Sequence, residues 1–294
     1  MIPAQFDYVR PTTVDEVVRA LTDALAQDSE VKVLAGGQSL MPVLRLRLAA
    51  PELIVDIGGI PELRGVREDG DEIVIGAMTT HHDVVRDDLV KEHLGLLSDA
   101  AATVADPQVR HRGTLGGALS HADPAGDLGA VALALGASFV IVGPSGSRTV
   151  PATEFFVDLF TTALGEDEIL TEIRFPRYTG WHHHYEKFNR TAQAWSMVAV
   201  AAAVKLSGDT IEDARIGLTN MGSTPIRASA VEAALVGRPA TEETVRAAAE
   251  HACEGTSAPS DSDAAADYRE HLARVLTARA VLVAGVGLSS SVAG

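Results

Sequence analysis

Between Thr13 and Ala26 apolar residues recur at helical spacing, with Val14, Val17, Val18, Leu21 and Leu25 on one face. This predicts an amphipathic helix. Thr13 followed three residues later by Glu16 is a capping-box start signal. Short β-type runs at 31–35, 53–57 and 72–77 are closed by glycine. Residues 93–105 predict a small-residue helix stopped by Asp106-Pro107. A second helix is predicted over 125–136, and the runs SFVIVG and SRTVPA flank a PSGS turn as a hairpin.

From Glu168 the pattern changes. Residues 168–175, 182–189, 197–206 and 211–221 predict successive strands, with a turn at 207–209. After Thr224-Pro225 the chain reads as helical in RASAVEAALVG, in TEETVRAAAEHA and from Ala264 onward, with GTSAPSDSD as a loop and GVGLSSSVAG as a loose tail. A boundary is expected between 176 and 180, with a mixed α/β part before it, split again between 56 and 59, and a strand meander capped by helices after it. The expected class is α+β.

Composition bounds the function. The chain has 294 residues, a length that suits two domains, and 46% apolar content allows a full core. A formal net charge of −16 argues against nucleic acid and against an anionic membrane surface. Cys253 is the single cysteine, so the chain has no internal disulfide and no thiolate cluster; an iron–sulfur centre would sit on another chain. The N-terminus lacks the charge and apolar pattern of a signal peptide. Apolar runs such as MVAVAAAV are too short to span a bilayer. A soluble, cytoplasmic protein is expected.

Two glycine pairs carry the candidate chemistry. Gly36-Gly37 follows a predicted strand and precedes Gln38 and Ser39; Gly116-Gly117 follows Thr114. Such turns let main chain approach a ligand and can present successive amides to an anion. Two of them could grip the two phosphates of one dinucleotide, although either alone is more often an ordinary turn. Neither a P-loop nor a Rossmann fingerprint is present, so any dinucleotide binds in another fold. Asp123 with Pro124 reads as an ordinary helix start, the Asp at the cap and the Pro at the first helical position. Asp127, one turn further on, could accept from ribose hydroxyls or an adenine amino group, or could complement the helix dipole.

The segments AGGQSLMPVLRLRL and PQVRHRGTLGGALSHADPAGDL, with IGAMTTHHDV, EILTEIRFP and YEKFNR, resemble the FAD-binding medium subunit of molybdenum hydroxylases. This is the family of carbon monoxide dehydrogenase medium chains and of the xanthine dehydrogenase flavin domain, and the likeness runs over essentially the whole chain. It implies a PCMH-type FAD-binding domain at 1–177, made of two α/β subdomains at about 1–57 and 58–177. A carbon monoxide dehydrogenase flavoprotein-like α+β domain at 178–294 would follow. It also implies partners: a large molybdopterin subunit and a small subunit with two [2Fe–2S] clusters, in a dimer of heterotrimers, with an external electron acceptor such as NAD⁺, oxygen or a quinone.

By position, the resemblance assigns Leu34, Ala35, Gly36, Gly37, Gln38, Ser39 and Leu40 to the FAD diphosphate. Thr114, Leu115, Gly116, Gly117 and Ala118 would line the cofactor from the other side. Val104 matches a flavin-lining position, Leu170 and Lys187 match two further FAD contacts, the second close to the flavin, Asp127 matches the FAD-contacting carboxylate, and Asp123 is a further candidate contact. Trp195 stands where relatives often place an aromatic near the ring; its competing role is a core tryptophan. Lys187 near a flavin would favour its reduced, anionic state, whereas the plainer reading is a solvated strand lysine.

The histidines give little. Only His182 and His184 of the triple run share a strand face, too few for zinc. His81 and His82 read as surface residues, and His121 could meet a flavin by backbone or ring. The resulting expectation is an electron-transferring flavoprotein subunit with no acid, base or nucleophile of its own. Two other readings are a self-contained FAD-dependent oxidoreductase with its own substrate pocket, and an assembly subunit that has lost FAD.

Overall fold

The helix predicted near the N-terminus forms as α1 (Val14–Ala26). Thr13 caps it by accepting from the Glu16 amide at 3.3 Å. The return half of the box lands one residue early: Glu16 Oε2 accepts from the Thr12 amide at 2.8 Å and the Thr12 hydroxyl at 3.0 Å. Val17, Val18 and Leu21 bury the apolar face against Val55, Ile57 and Ile60. The computed structural model describes residues 2–286. The expected tail falls mostly beyond them, since residues 287–294 lie outside the described range.

Strands β1 (Asp7–Val9), β2 (Val31–Leu34) and β3 (Leu53–Asp56) form a parallel sheet with β3 in the centre. Helix α2 (Leu40–Leu46) lies between β2 and β3 in the chain. A second, antiparallel sheet has the order β4 (Val66–Asp69), β5 (Glu72–Gly76), β10 (Ile169–Pro176), β6 (Ser138–Gly143), β7 (Gly146–Pro151). The expected hairpin is the β6–β7 pair. A small hairpin of β8 (Phe156–Asp158) and β9 (Thr161–Thr162) precedes β10, after the short helix α9 (Ala152–Phe155). The sequence pattern suggested neither β4 nor this hairpin, because each is short and mostly exposed.

The segment 81–134 makes short helices: α3 (His81–Arg86), α4 (Asp88–His93), α5 (Gly95–Ala102), α6 (Pro107–Arg110), α7 (Leu115–His121) and α8 (Asp127–Ala134). The helix expected at 93–105 begins instead at Gly95 and ends at Ala102. Asp106 opens α6 by accepting from the Val109 amide at 2.9 Å, so the Asp-Pro pair starts a helix as well as following one.

A third sheet runs β11 (His182–Phe188), β12 (Val198–Ser207), β13 (Thr210–Thr219), β14 (Ile226–Arg227). The strand expected at 168–175, now β10, lies before the expected boundary and belongs to the second sheet. The third sheet is covered by α10 (Ser229–Leu235), α11 (Glu242–Ala249) and α12 (Ala266–Val281). The first of these follows β14, a strand where helix was expected.

The central strand β12 explains its own composition. Ala199, Ala201 and Ala203 join a core shared with α5, α8 and the second sheet. Val198, Val200, Ala202 and Val204 join the core under α12. Buried on both faces, the strand has no polar alternation, and small side chains let both layers approach. Helix α8 closes against β13, where a Cβ on Gly217 would lie 2.2 Å from Ala130 O.

Candidate functional site

All three sheets converge on a cavity of about 630 Å³. That is the size of a small-molecule or cofactor site. The β2–α2 turn, α7, the start of α8, β10 and β11 all contribute lining.

The first glycine loop supplies unpaired donors. No described residue's main chain accepts from the backbone N–H of Gly36, Gly37, Gln38 or Ser39, and all four line the cavity. The Ser39 side chain makes no cap bond to α2. Gly36 is required by close approach: a Cβ there would lie 2.2 Å from Arg112 O. The turn thus sits directly on the segment leading into the second loop, and its amides have no main-chain acceptor among the described residues.

The second loop behaves differently from the expectation that both would grip phosphate through main chain. Leu115 N–H donates to Thr79 O at 2.9 Å and Gly116 N–H to Ala77 O at 2.8 Å. Gly117 N–H donates to Thr114 Oγ1 at 3.1 Å, and Ala118 N–H to Thr114 O at 3.0 Å. These amides are used inside the protein. A Cβ on Gly116 would lie 2.5 Å from Ala77 Cβ, so this glycine seats α7 against β5's end rather than clearing a path for ligand.

A buried polar cluster forms at the start of α8. Asp127 Oδ1 accepts from Tyr185 Oη at 2.8 Å and from Ser196 Oγ at 2.9 Å. Asp127 Oδ2 accepts from Lys187 Nζ at 2.8 Å, and Lys187 also donates to Thr103 O at 3.4 Å. Both members of the ion pair are shielded, with side chains 8% and 3% exposed. A charge removed from water needs such pairing and additional hydrogen bonds. Burial and the adjacent Asp127 charge push the Tyr185 phenol well above its ordinary value, so it stays a donor.

Asp127 therefore satisfies three donors from β11 and the segment before β12, and does not merely complement a helix end. Lys187 is a buried cation, not a solvated strand lysine. Asn220, in the left-handed region with φ 61°, ties the same corner together. Its amide donates to Pro124 O at 2.8 Å and its side chain to Ser196 O at 2.9 Å.

Of the expected positions, Ala35, Gly36, Gly37, Gln38, Ser39 and Leu40 line the cavity from the first loop, and Thr114, Gly116, Gly117 and Ala118 from α7. Val104, Asp123, Asp127, Leu170, Lys187 and Trp195 line it as well. Leu34 and Leu115 do not; Leu115 is wholly buried in the core beneath α7. Asp123 is not a helix cap: α8 starts at Asp127 with Gly126 as its cap, and Asp123 accepts from the Ala125 amide at 2.9 Å within the preceding turn. Trp195 is no core residue, since it is 57% exposed.

Sequence reasoning missed four participants. Tyr185 and Ser196 were hidden because their role depends on a carboxylate at the start of α8, far away in sequence. Phe160 lines the cavity from the β8–β9 turn at φ 52°, its ring centroid 5.1 Å from that of His121. His81, expected at the surface, is buried in the cavity wall. In the triple histidine, His183 Nδ1 is hydrogen-bonded to Asp99 at 3.0 Å and His184 Nε2 to Glu186 at 2.8 Å.

The cavity wall thus carries both the first-loop amides, which have no main-chain acceptor among the described residues, and a buried carboxylate–ammonium pair. Comparison with known proteins gives the class. Residues 4–178 match the FAD binding domain in molybdopterin dehydrogenase, and residues 183–284 match the CO dehydrogenase flavoprotein C-terminal domain. The chain belongs to the family of FAD-binding medium subunits of molybdenum hydroxylases.

It is 43% identical over 284 residues to the carbon monoxide dehydrogenase medium chain of Hydrogenophaga pseudoflava, covering 96% of this chain and 97% of that one. It is 37% identical to the glyceraldehyde dehydrogenase medium chain of Sulfolobus acidocaldarius, over 95% of this chain and 98% of the other. A chain of the crystal structure of quinoline 2-oxidoreductase from Pseudomonas putida 86 superposes with a TM-score of 0.92 at 33% identity, covering 98% of this chain and 99% of that one. No described helix is long and apolar enough to cross a membrane.

Proposed function

We propose that this chain is the flavoprotein subunit of a heteromeric molybdenum hydroxylase in the cytoplasm. Its partners would be a large molybdopterin subunit and a small [2Fe–2S] subunit, arranged as a dimer of heterotrimers. The observation that carries the reading is the row of unpaired amides from Gly36 to Ser39 in the cavity wall. Bound FAD would accept electrons singly from the partner's clusters and release them in pairs to an external acceptor.

The chain's own residues hold and tune. The amides of Gly36–Ser39 and the Ser39 hydroxyl cradle the diphosphate. Thr114, Gly117 and Ala118 close the opposite wall by shape. Asp127, fixed by three donors, keeps the Lys187 ammonium in place, and that ammonium has one proton not committed to Asp127 or Thr103. Its charge in a water-poor wall favours added negative charge nearby. Trp195 and Phe160, both half-exposed at the cavity, screen the site from solvent. The domain division at 177/178 follows the chain between the second and third sheets.

Expression of the full chain alone, followed by flavin quantification, tests this. We expect stoichiometric FAD after uptake and no turnover of organic substrates. A chain that takes up no FAD overturns the reading, and substrate oxidation by the isolated chain with an artificial acceptor would favour a self-contained oxidoreductase.

A further inference from the structure

His81 is the first residue of α3, and its backbone N–H donates to Gly113 O at 2.9 Å. The residue is one of those that line the cavity and is 4% exposed. The Cδ2–Nε2 edge of the ring rests against Gly113: a Cβ on that glycine would lie 2.9 Å from Cδ2 and 3.0 Å from Nε2. Nδ1 is buried without a hydrogen-bond partner. No described residue bonds to Nε2 either.

Burial, with the Arg110 charge adding to it, holds the imidazole down to a pKa of about 4. The ring is therefore neutral near pH 7 and carries one proton. An unpaired buried donor is costlier and rarer than an under-used acceptor. The proton accordingly belongs on Nε2, beside Gly113, and Nδ1 is the bare acceptor. A donor in a cavity wall with no partner among the described residues is left available to a ligand.

Its place selects the ligand's chemistry. Gly113 and Arg112 are the residues on which Gly36 rests, so the ring, Gly113 and the free amides of the first loop form one continuous row. The amides of Leu115–Ala118 are all used internally, which leaves side chains as the donors on this wall. We propose that His81 is a further cofactor-binding residue, its Nε2–H donating to a phosphate oxygen of the dinucleotide held by Gly36–Ser39. The assignment rests on the FAD reading above and adds a neutral donor to a cradle otherwise made of main chain.

The test uses the full chain freed of flavin, with dissociation constants for FAD, ADP and riboflavin measured on wild type, His81→Leu and His81→Gln. We expect His81→Leu to weaken FAD and ADP by about tenfold, the scale of one hydrogen bond to a charged group, and to leave riboflavin unchanged. His81→Gln, whose Nε2 falls near the lost nitrogen, is expected to recover most of the affinity. Equal FAD affinity in wild type and His81→Leu overturns the assignment, as does a loss shared by riboflavin. Should His81→Leu fail to fold, nitrogen-15 NMR of the wild-type chain decides: a proton found on Nδ1 overturns it. Wild type that binds no FAD at all overturns the parent reading instead.

Discussion

Lys187 Nζ and Asp127 Oδ2, sixty residues apart in the chain, meet at 2.8 Å in the cavity wall. The pair joins β11 to the first residue of α8, so it links the two halves of the molecule at the candidate cofactor site. Removing one partner of a buried pair leaves an uncompensated charge. We expect Lys187→Met to destabilise the chain by about 3 kcal/mol in chemical denaturation. Adding Asp127→Leu to that variant should restore part of the loss, because the orphaned carboxylate is then gone. A single variant as stable as wild type would show that the pair is hydrated in solution.

Tyr185→Phe removes one of the two donors to Asp127 Oδ1 and changes little else in shape. A hydrogen bond to a charged group at such a site is worth about 2 kcal/mol. Ser196→Ala should cost a similar amount. The double variant is expected to depart from additivity, since both hydroxyls serve one oxygen. Denaturant midpoints read these costs, and the reduction potential of bound flavin reads whether Lys187 has moved.

Gly36→Ala tests the contact between the two loops. The added Cβ meets Arg112 O at 2.2 Å, and that carbonyl is main chain, which cannot swing aside like a flexible side chain. Loop separation should cost about 2 kcal/mol of stability. FAD uptake should fall more than the stability loss alone predicts, because the free amides move with the turn. An equilibrium titration with FAD on the folded variant separates the two effects.

The buried imidazole of His81 makes stability depend on pH. In the unfolded chain this group titrates near pH 6.5, and in the folded chain near pH 4. Between those values the unfolded state holds the proton and the folded state does not. Stability from this group is therefore full above about pH 6.5 and drains as pH falls toward 4, by about 3 kcal/mol in all. His81→Gln should flatten that part of the stability profile. An unchanged acid limb in the variant would mean that other groups carry it.

Much of this architecture was legible in the chain. Helix α1, strands β2, β3, β5 and β6–β7, and the long strands β12 and β13 all carry clear periodicity and turn residues. The segment MVAVAAAV was legible as a strand but not as one buried on both faces, because that depends on helices far away in sequence. The cavity walls were legible through motif resemblance, yet the division of labour between the glycine loops was not. Whether an amide is free depends on tertiary partners such as Ala77 and Thr79, which no local pattern reveals. His81 failed for the same reason: a polar residue at a helix start looks exposed until the Gly113 turn covers it.

The three donors to Asp127 have a consequence for the order of events in biogenesis. When α8 emerges from the ribosome, Tyr185, Lys187 and Ser196 are not yet made. Until they are, that carboxylate must stay hydrated, and the wall it helps build stays open to water. The cavity wall at Asp127 is thus complete only once the segment 185–196, which carries all three donors, has been made.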